Sequence, residues 1–181
     1  MRQPLVAGNW KMNGSLASVR ELLQGLKEGV GQVNNAKVVV CPPAVFIPET
    51  QAQLAGTVIG WGGQDVSTQE SGAYTGETAA SMLTDFACEY VIIGHSERRT
   101  YHGETDQTVA EKFAAARKAG LIPLFCIGET LEQREQGITE DVVARQIDAV
   151  IEHCGVDMLG EGVIAYEPVS YTHLRAHETR Y

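Results

Sequence analysis

Tyr90, Val91, Ile92 and Ile93 form an apolar run without polar alternation, which ends at Gly94 and opens onto a polar turn led by His95. Such a run fits a strand covered on both faces, as the strands of a parallel sheet are. Gly94 lets the chain turn away, and Ser96 is placed to cap a short helix. His95 then stands at the mouth of a strand where backbone N–H groups converge, a place suited to polarising an anion or a carbonyl. A lone Gly-His-Ser is more often a structural loop histidine, so the rest of the chain decides what His95 is for.

The same rhythm recurs along the chain. Leu5, Val6 and Ala7 read as a strand ending at Gly8, with Asn9, Trp10 and Lys11 following. Ser15 is placed as an N-cap, and Leu16, Val19, Leu22, Leu23 and Leu26 recur at the spacing of one helical face. Lys37 to Cys41 is a second strand, stopped by Pro42 and Pro43; Phe46 to Leu54 is a weaker helical stretch; Val58 to Trp61 is a third strand. Gly62 to Thr78 breaks the rhythm with glycines, polar residues and one aromatic, Tyr74, and loops of this length are usually functional or bind a partner. Ala79 to Asp85 predicts a short helix before the fourth strand at Tyr90. Asp106 begins a helix whose Val109, Phe113 and Ala116 share a face and which stops at Gly120. Ile122 to Ile127 is a fifth strand, ending in Gly128 and Glu129. Thr130 and Gln133 have capping-box spacing, and Thr139 starts a longer helix with Val143, Ile147, Val150 and Ile151 on its apolar side. Val163 to Tyr166 is a sixth strand, ending in Glu167 and Pro168.

Six strands alternating with helices make an α/β protein with a parallel sheet. An open doubly wound sheet is the rival to a (β/α) barrel, but its nucleotide-binding mark, a GxGxxG after the first strand, is absent. Polar groups instead follow several different strands: Asn9 and Lys11 the first, His95 the fourth, Glu167 the sixth. That distribution is what a site at the C-terminal face of a barrel requires.

At 181 residues the chain reads as one domain, and its net charge of -9 argues against nucleic acid or an anionic membrane as its main partner. The first residues hold no apolar stretch long enough for a signal peptide and no segment approaches a membrane span, so the expected location is the cytoplasm. Cys41, Cys88, Cys126 and Cys154 are irregularly spaced without a CxxC pair, which suggests neither a zinc site nor a disulfide framework but reduced, mostly buried thiols.

With GNWKMN at Gly8 to Asn13, GAYTGET at Gly72 to Thr78, IGHSERR at Ile93 to Arg99, CIGE at Cys126 to Glu129 and AYEP at Ala165 to Pro168, the sequence closely resembles the triosephosphate isomerase family. Each motif could arise by chance; together, in this order, they are highly specific. The resemblance implies a (β/α)₈ barrel of which about six βα units are present, and a homodimer without metal or cofactor. The implied reaction interconverts dihydroxyacetone phosphate and glyceraldehyde 3-phosphate in the cytoplasm, in glycolysis and gluconeogenesis. This family is a standard case of pKa tuning, so the roles that follow are carried over residue by residue.

By resemblance, Glu167 is the base that moves a proton between the two carbons, partly desolvated so that it is basic enough. His95 resembles the neutral electrophile that donates a hydrogen bond to the carbonyl. Lys11 would supply positive charge to the phosphate and the developing enediolate, and Asn9 a nearby hydrogen bond. Glu97 resembles a support that orients Lys11, and Ser96, Cys126 and Glu129 are supporting residues around the site. The long third loop resembles the family's dimer arm, with Thr75 reaching the neighbouring subunit's active site and Tyr74 and Gly76 as contacts.

The resemblance covers residues 1–169 and stops abruptly. After Val169 the family reads tryptophan and a glycine-bearing lid, whereas this chain runs from Ser170 to Tyr181 without a glycine and with His173 and His177. A barrel of this kind needs about 250 residues, so roughly 70 would be missing. The expectation is therefore an incomplete barrel over 1–169 and a non-family tail over 170–181 from a truncated gene or an assembly error, with a natural divergent C-terminus as the alternative. An incomplete barrel would lose the lid and the glycine-rich turns that hold phosphate, and would leave strands one and six as edges. The rival functional reading is accordingly an inactive fragment, poorly soluble or partly folded, that at most binds a full-length subunit.

Overall fold

The computed structural model describes residues 3–30, 33 and 35–168. Val169 and the expected tail at 170–181 lie outside the described residues. The chain divides into two compact units, one from the described residues of 1–92 with 115–123 and the other from those of 93–114 with 124–181.

In the first unit, β1 (Leu5–Asn9), β2 (Lys37–Cys41), β3 (Ile59–Gly63) and β4 (Tyr90–Ile93) succeed one another, with Ile93 already in the second unit. Neighbours pair in parallel, with Asn9 opposite Cys41, Val39 opposite Gly60 and Gly62 opposite Tyr90. Helices α1 (Leu16–Val30), α2 (Ile47–Leu54, after a 3₁₀ turn at Ala44–Phe46) and α3 (Ala80–Asp85) connect them. This is the parallel α/β class that the apolar runs predict. Ser15 caps α1 as expected, its Oγ accepting from the Ser18 N–H at 3.2 Å. The buried stripe of α1 is narrower than its leucines suggest: Val19 and Leu23 are buried and Leu26 half-buried, whereas Leu16 and Leu22 face out.

Strand β3 runs two residues further than its sequence indicates, through Gly62 and Gly63. Glycines ordinarily read as loop, but here pairing requires one. A Cβ on Gly62 would lie 2.3 Å from the Tyr90 carbonyl oxygen, so only glycine permits that close approach to β4. Beyond β3 no helix or strand forms before Ala80. The loop is pinched by the Ser67 N–H donating to Thr78 O at 2.8 Å, and its tip, with Tyr74, Thr75 and Gly76, is exposed.

In the second unit the chain passes from His95 into α4 (Ser96–His102) and then α5 (Asp106–Lys118), whose last residues return to the first unit. Strand β5 (Ile122–Ile127), of which Leu124 onward belongs to this unit, is followed by α6 (Leu131–Glu135), α7 (Thr139–Cys154) and α8 (Val156–Leu159), and β6 (Val163–Tyr166) pairs with β5 in parallel. The Thr130 and Gln133 capping box forms in full. Phe113 and Phe125, both fully buried, meet edge to face at 6.0 Å. The inner face of α7 is Val142, Gln146 and Val150; Val143 and Ile147, expected inside, are only half-buried. A buried glutamine breaks the apolar pattern and displaces the reading by one residue.

The cysteines are free, with Cys41, Cys88 and Cys126 buried and Cys154 half-buried. Among the described residues no helix is long and apolar enough to cross a membrane.

Candidate active site

Asn9, His95 and Glu167 each stand at or just past the carboxyl end of a strand, Asn9 in the first unit and His95 and Glu167 in the second. In the first unit Asn9 is the last residue of β1, and its side-chain Oδ1 accepts the Lys11 N–H at 2.9 Å. Lys11 is exposed and has φ of 51°, a left-handed conformation that a side chain rarely adopts. Gln64, which follows β3 directly, stabilises that turn from outside: its Nε2 donates to Lys11 O at 2.9 Å and to Cys41 O at 2.8 Å. Nothing in the sequence marks Gln64, because its partners are backbone carbonyls supplied by two other segments.

In the second unit His95 is only 8% exposed and forms the N-cap of α4, a correction to the expectation that Ser96 is the cap. The helix starts one residue earlier than the serine suggests, because the imidazole takes the capping role. Its Nδ1 accepts the Glu97 N–H at 3.2 Å. Nδ1 is therefore unprotonated, and the ring carries its hydrogen on Nε2. Nε2 lies 2.8 Å from Oε1 of Glu167. Ser96, now the first helical residue, has one of the backbone N–H groups that a helix start leaves free, and donates it to Oε2 of Glu167 at 3.1 Å. His95, Ser96 and Glu167 thus form one hydrogen-bonded group.

The electrostatics of Glu167 differ from the expectation of a carboxylate made basic by desolvation. Burial does push its carboxyl up, but the hydrogen bonds from His95 and the Ser96 N–H outweigh that, leaving it below the usual 4.5. Both oxygens are occupied, so the carboxylate is held as an acceptor. Freed from these partners, the same buried position would raise its basicity.

Of the supporting residues, Glu97 keeps a half-exposed carboxylate and contributes its backbone N–H to His95. Cys126 is buried in β5. Glu129 is a fully buried side chain held by Arg134 at 3.0 Å and the Tyr166 hydroxyl at 2.9 Å, which ties the turn after β5 to the end of β6. Among the described residues, no group of three or more His, Cys, Asp and Glu side chains is arranged to hold a metal ion.

A family model described as triosephosphate isomerase matches residues 4–171 of this chain. A triosephosphate isomerase of Nitrosococcus oceani is 55% identical over 169 residues, which is 93% of this chain and 68% of the relative. One from Cupriavidus taiwanensis is 56% identical with the same coverage. One from Nitrosomonas eutropha is 53% identical, covering 93% of this chain and 67% of the relative.

Proposed function

Because the chain belongs to the triosephosphate isomerase family, we propose that it interconverts dihydroxyacetone phosphate and glyceraldehyde 3-phosphate by proton transfer through an enediolate. The observation that carries this reading is the 2.8 Å approach of His95 Nε2 to Glu167 Oε1, with Nδ1 engaged as an acceptor. A neutral imidazole with its hydrogen on Nε2 is the donor that a substrate carbonyl needs, and the carboxylate beside it is the base.

In the proposed cycle the substrate carbonyl oxygen replaces Glu167 as acceptor of the His95 Nε2–H. Glu167, released from His95 and Ser96, takes the proton from the carbon next to the carbonyl. The electron pair left behind forms the enediolate, whose oxygen is stabilised by the Nε2–H. The hydroxyl hydrogen then passes from the neighbouring oxygen to the former carbonyl oxygen, and Glu167 returns its proton to the former carbonyl carbon, which completes the isomerisation. Lys11 supplies positive charge to the phosphate and the enediolate, Asn9 adds a hydrogen bond, and Glu97, Ser96, Cys126 and Glu129 support the site. The left-handed turn at Lys11, clamped by Asn9 and Gln64, supports a functional role, since strained backbone persists where surrounding contacts hold it.

The reading brings with it glycolysis and gluconeogenesis in the cytoplasm, a phosphorylated triose as substrate, no cofactor, and a homodimer formed through the arm bearing Tyr74, Thr75 and Gly76. The exposed tip of that loop supports the last point. A coupled isomerase assay on the 181-residue chain tests the proposal, with kcat lowered on the order of 10²- to 10⁴-fold by Glu167→Gln as the expected result. Absence of turnover that returns when the chain is extended with a family C-terminal segment would favour the inactive-fragment reading instead.

A further inference from the structure

Gln146 is 5% exposed, a polar side chain on the inner face of α7 between Val142 and Val150. Both ends of its amide are used on a single residue: Oε1 accepts the Gly128 N–H at 2.9 Å, and Nε2 donates to Gly128 O at 3.0 Å. This is the pairing that a neighbouring strand would offer, supplied by a side chain just past the end of β5. Gly128 in turn lies against the backbone of Glu167. A Cβ at position 128 would fall 2.3 Å from Glu167 O, and the Glu167 N–H donates to Ile127 O at 2.8 Å. The position of Gly128 therefore sets where the backbone of Glu167 can sit, and Gln146 sets the position of Gly128.

We propose that Gln146 is a positioning residue for Glu167, acting through Gly128, an inference that rests on the isomerase reading for its consequence in catalysis. Its contact with the backbone at 128 fixes the distance from which the Glu167 carboxylate reaches His95 and Ser96. Displacing a reacting group by about 1 Å can lower a rate by on the order of 10²-fold, so a residue remote from the substrate can matter this much.

The test uses the full chain with Gln146→Met, which keeps the length and apolar stem of the side chain and removes both hydrogen bonds. Val150→Ala on the same face of α7 is the comparison, because it opens a cavity without touching Gly128. Two readings are taken: kcat and KM in the coupled assay, and the NMR signals of the Ser96 amide and the His95 ring nitrogens, which report their bonds to Glu167. The expected result is a fall in kcat of about 10- to 100-fold with little change in KM, and movement of the Ser96 and His95 signals, in Gln146→Met alone. Val150→Ala should lower Tm while leaving kcat and those signals in place. If Gln146→Met lowers Tm but leaves the Ser96 and His95 signals unmoved, as Val150→Ala does, the inference is overturned. The NMR reading does not depend on turnover, so an inactive chain would contradict the isomerase reading without touching the positioning one. Should Gln146→Met give no folded sample, Gln146→Asn, whose amide is one methylene too short, decides by the same signals.

Discussion

His95 Nε2 lies 2.8 Å from Glu167 Oε1, and the Ser96 N–H reaches the other oxygen of the same carboxylate at 3.1 Å. The base of the proposed reaction is thus held by the residue that would polarise the carbonyl, and substrate must separate the two. Replacing Glu167 by Gln removes the base and keeps the shape. A loss of kcat on the order of 10²- to 10⁴-fold is expected, with circular dichroism unchanged; a loss under tenfold would count against the assignment.

Acid sensitivity follows from the direction of the same carboxyl's shift. Glu167 lies below its ordinary 4.5 when folded. Glu104 is also lowered: burial raises its pKa, and hydrogen bonds from Lys112 and Arg98 more than reverse this. A group depressed on folding adds stability above its unfolded pKa and loses it as pH falls through the folded one. Stability should therefore be level above pH 4.5 and decline below it, as urea titrations across pH 3 to 6 would show. The acid limb of kcat/KM, which reports the free protein, should likewise lie below pH 4.5. A limb at pH 6 would contradict the observed pairing.

Glu104 and Lys112 form an ion pair with side chains 5% and 6% exposed, joined at 2.5 Å, and Arg98 donates to the same carboxylate oxygen. Lys112→Met leaves a buried carboxylate with one cation fewer, which is expected to destabilise the fold by about 3–5 kcal/mol. Replacing both partners by apolar residues of similar size should cost less than Lys112→Met alone. A double-mutant cycle by urea unfolding checks this, and simple additivity would show that the pair is not coupled.

Burial raises the Cys41 thiol to about 12, helped by nearby Cys88, and burial raises Cys88 to about 12 as well. Thiolate is the reactive form, so neither should react with a disulfide reagent at neutral pH until the chain unfolds. Cys154 is raised by burial too but is only half-buried. It should be labelled well before Cys41 and Cys88, and mass spectrometry of partly labelled protein identifies the order. Labelling of Cys41 first would mean that the β2 core opens more readily than its burial indicates.

The arm tip offers a test of assembly. Thr75→Arg places a bulky charge on an exposed loop that makes no regular structure. If the loop docks into a second copy, sedimentation velocity should show a shift from dimer to monomer with Tm of the isolated subunit unchanged. The same sedimentation behaviour for both chains would remove the arm from the proposed interface.

The apolar runs at Tyr90–Ile93 and Ile122–Ile127, the turn glycines and the motif set were enough to determine a parallel α/β fold and its family and to single out His95 and Glu167 as candidates, because local pattern and residue type survive without coordinates. What tertiary structure decided is how those residues are held. That Gly62 and Gly63 belong to a strand and that Gln146 faces inward depend on partners distant in sequence, and that His95 rather than Ser96 caps α4 depends on the direction its ring takes, which residue type does not specify. Gln64 and Gln146 bind backbone carbonyl and amide groups, which every residue possesses, so no spacing rule points to them. The balance at Glu167 was likewise beyond reach: burial and hydrogen bonding push its pKa in opposite directions, and only the positions of the His95 and Ser96 donors settle which wins.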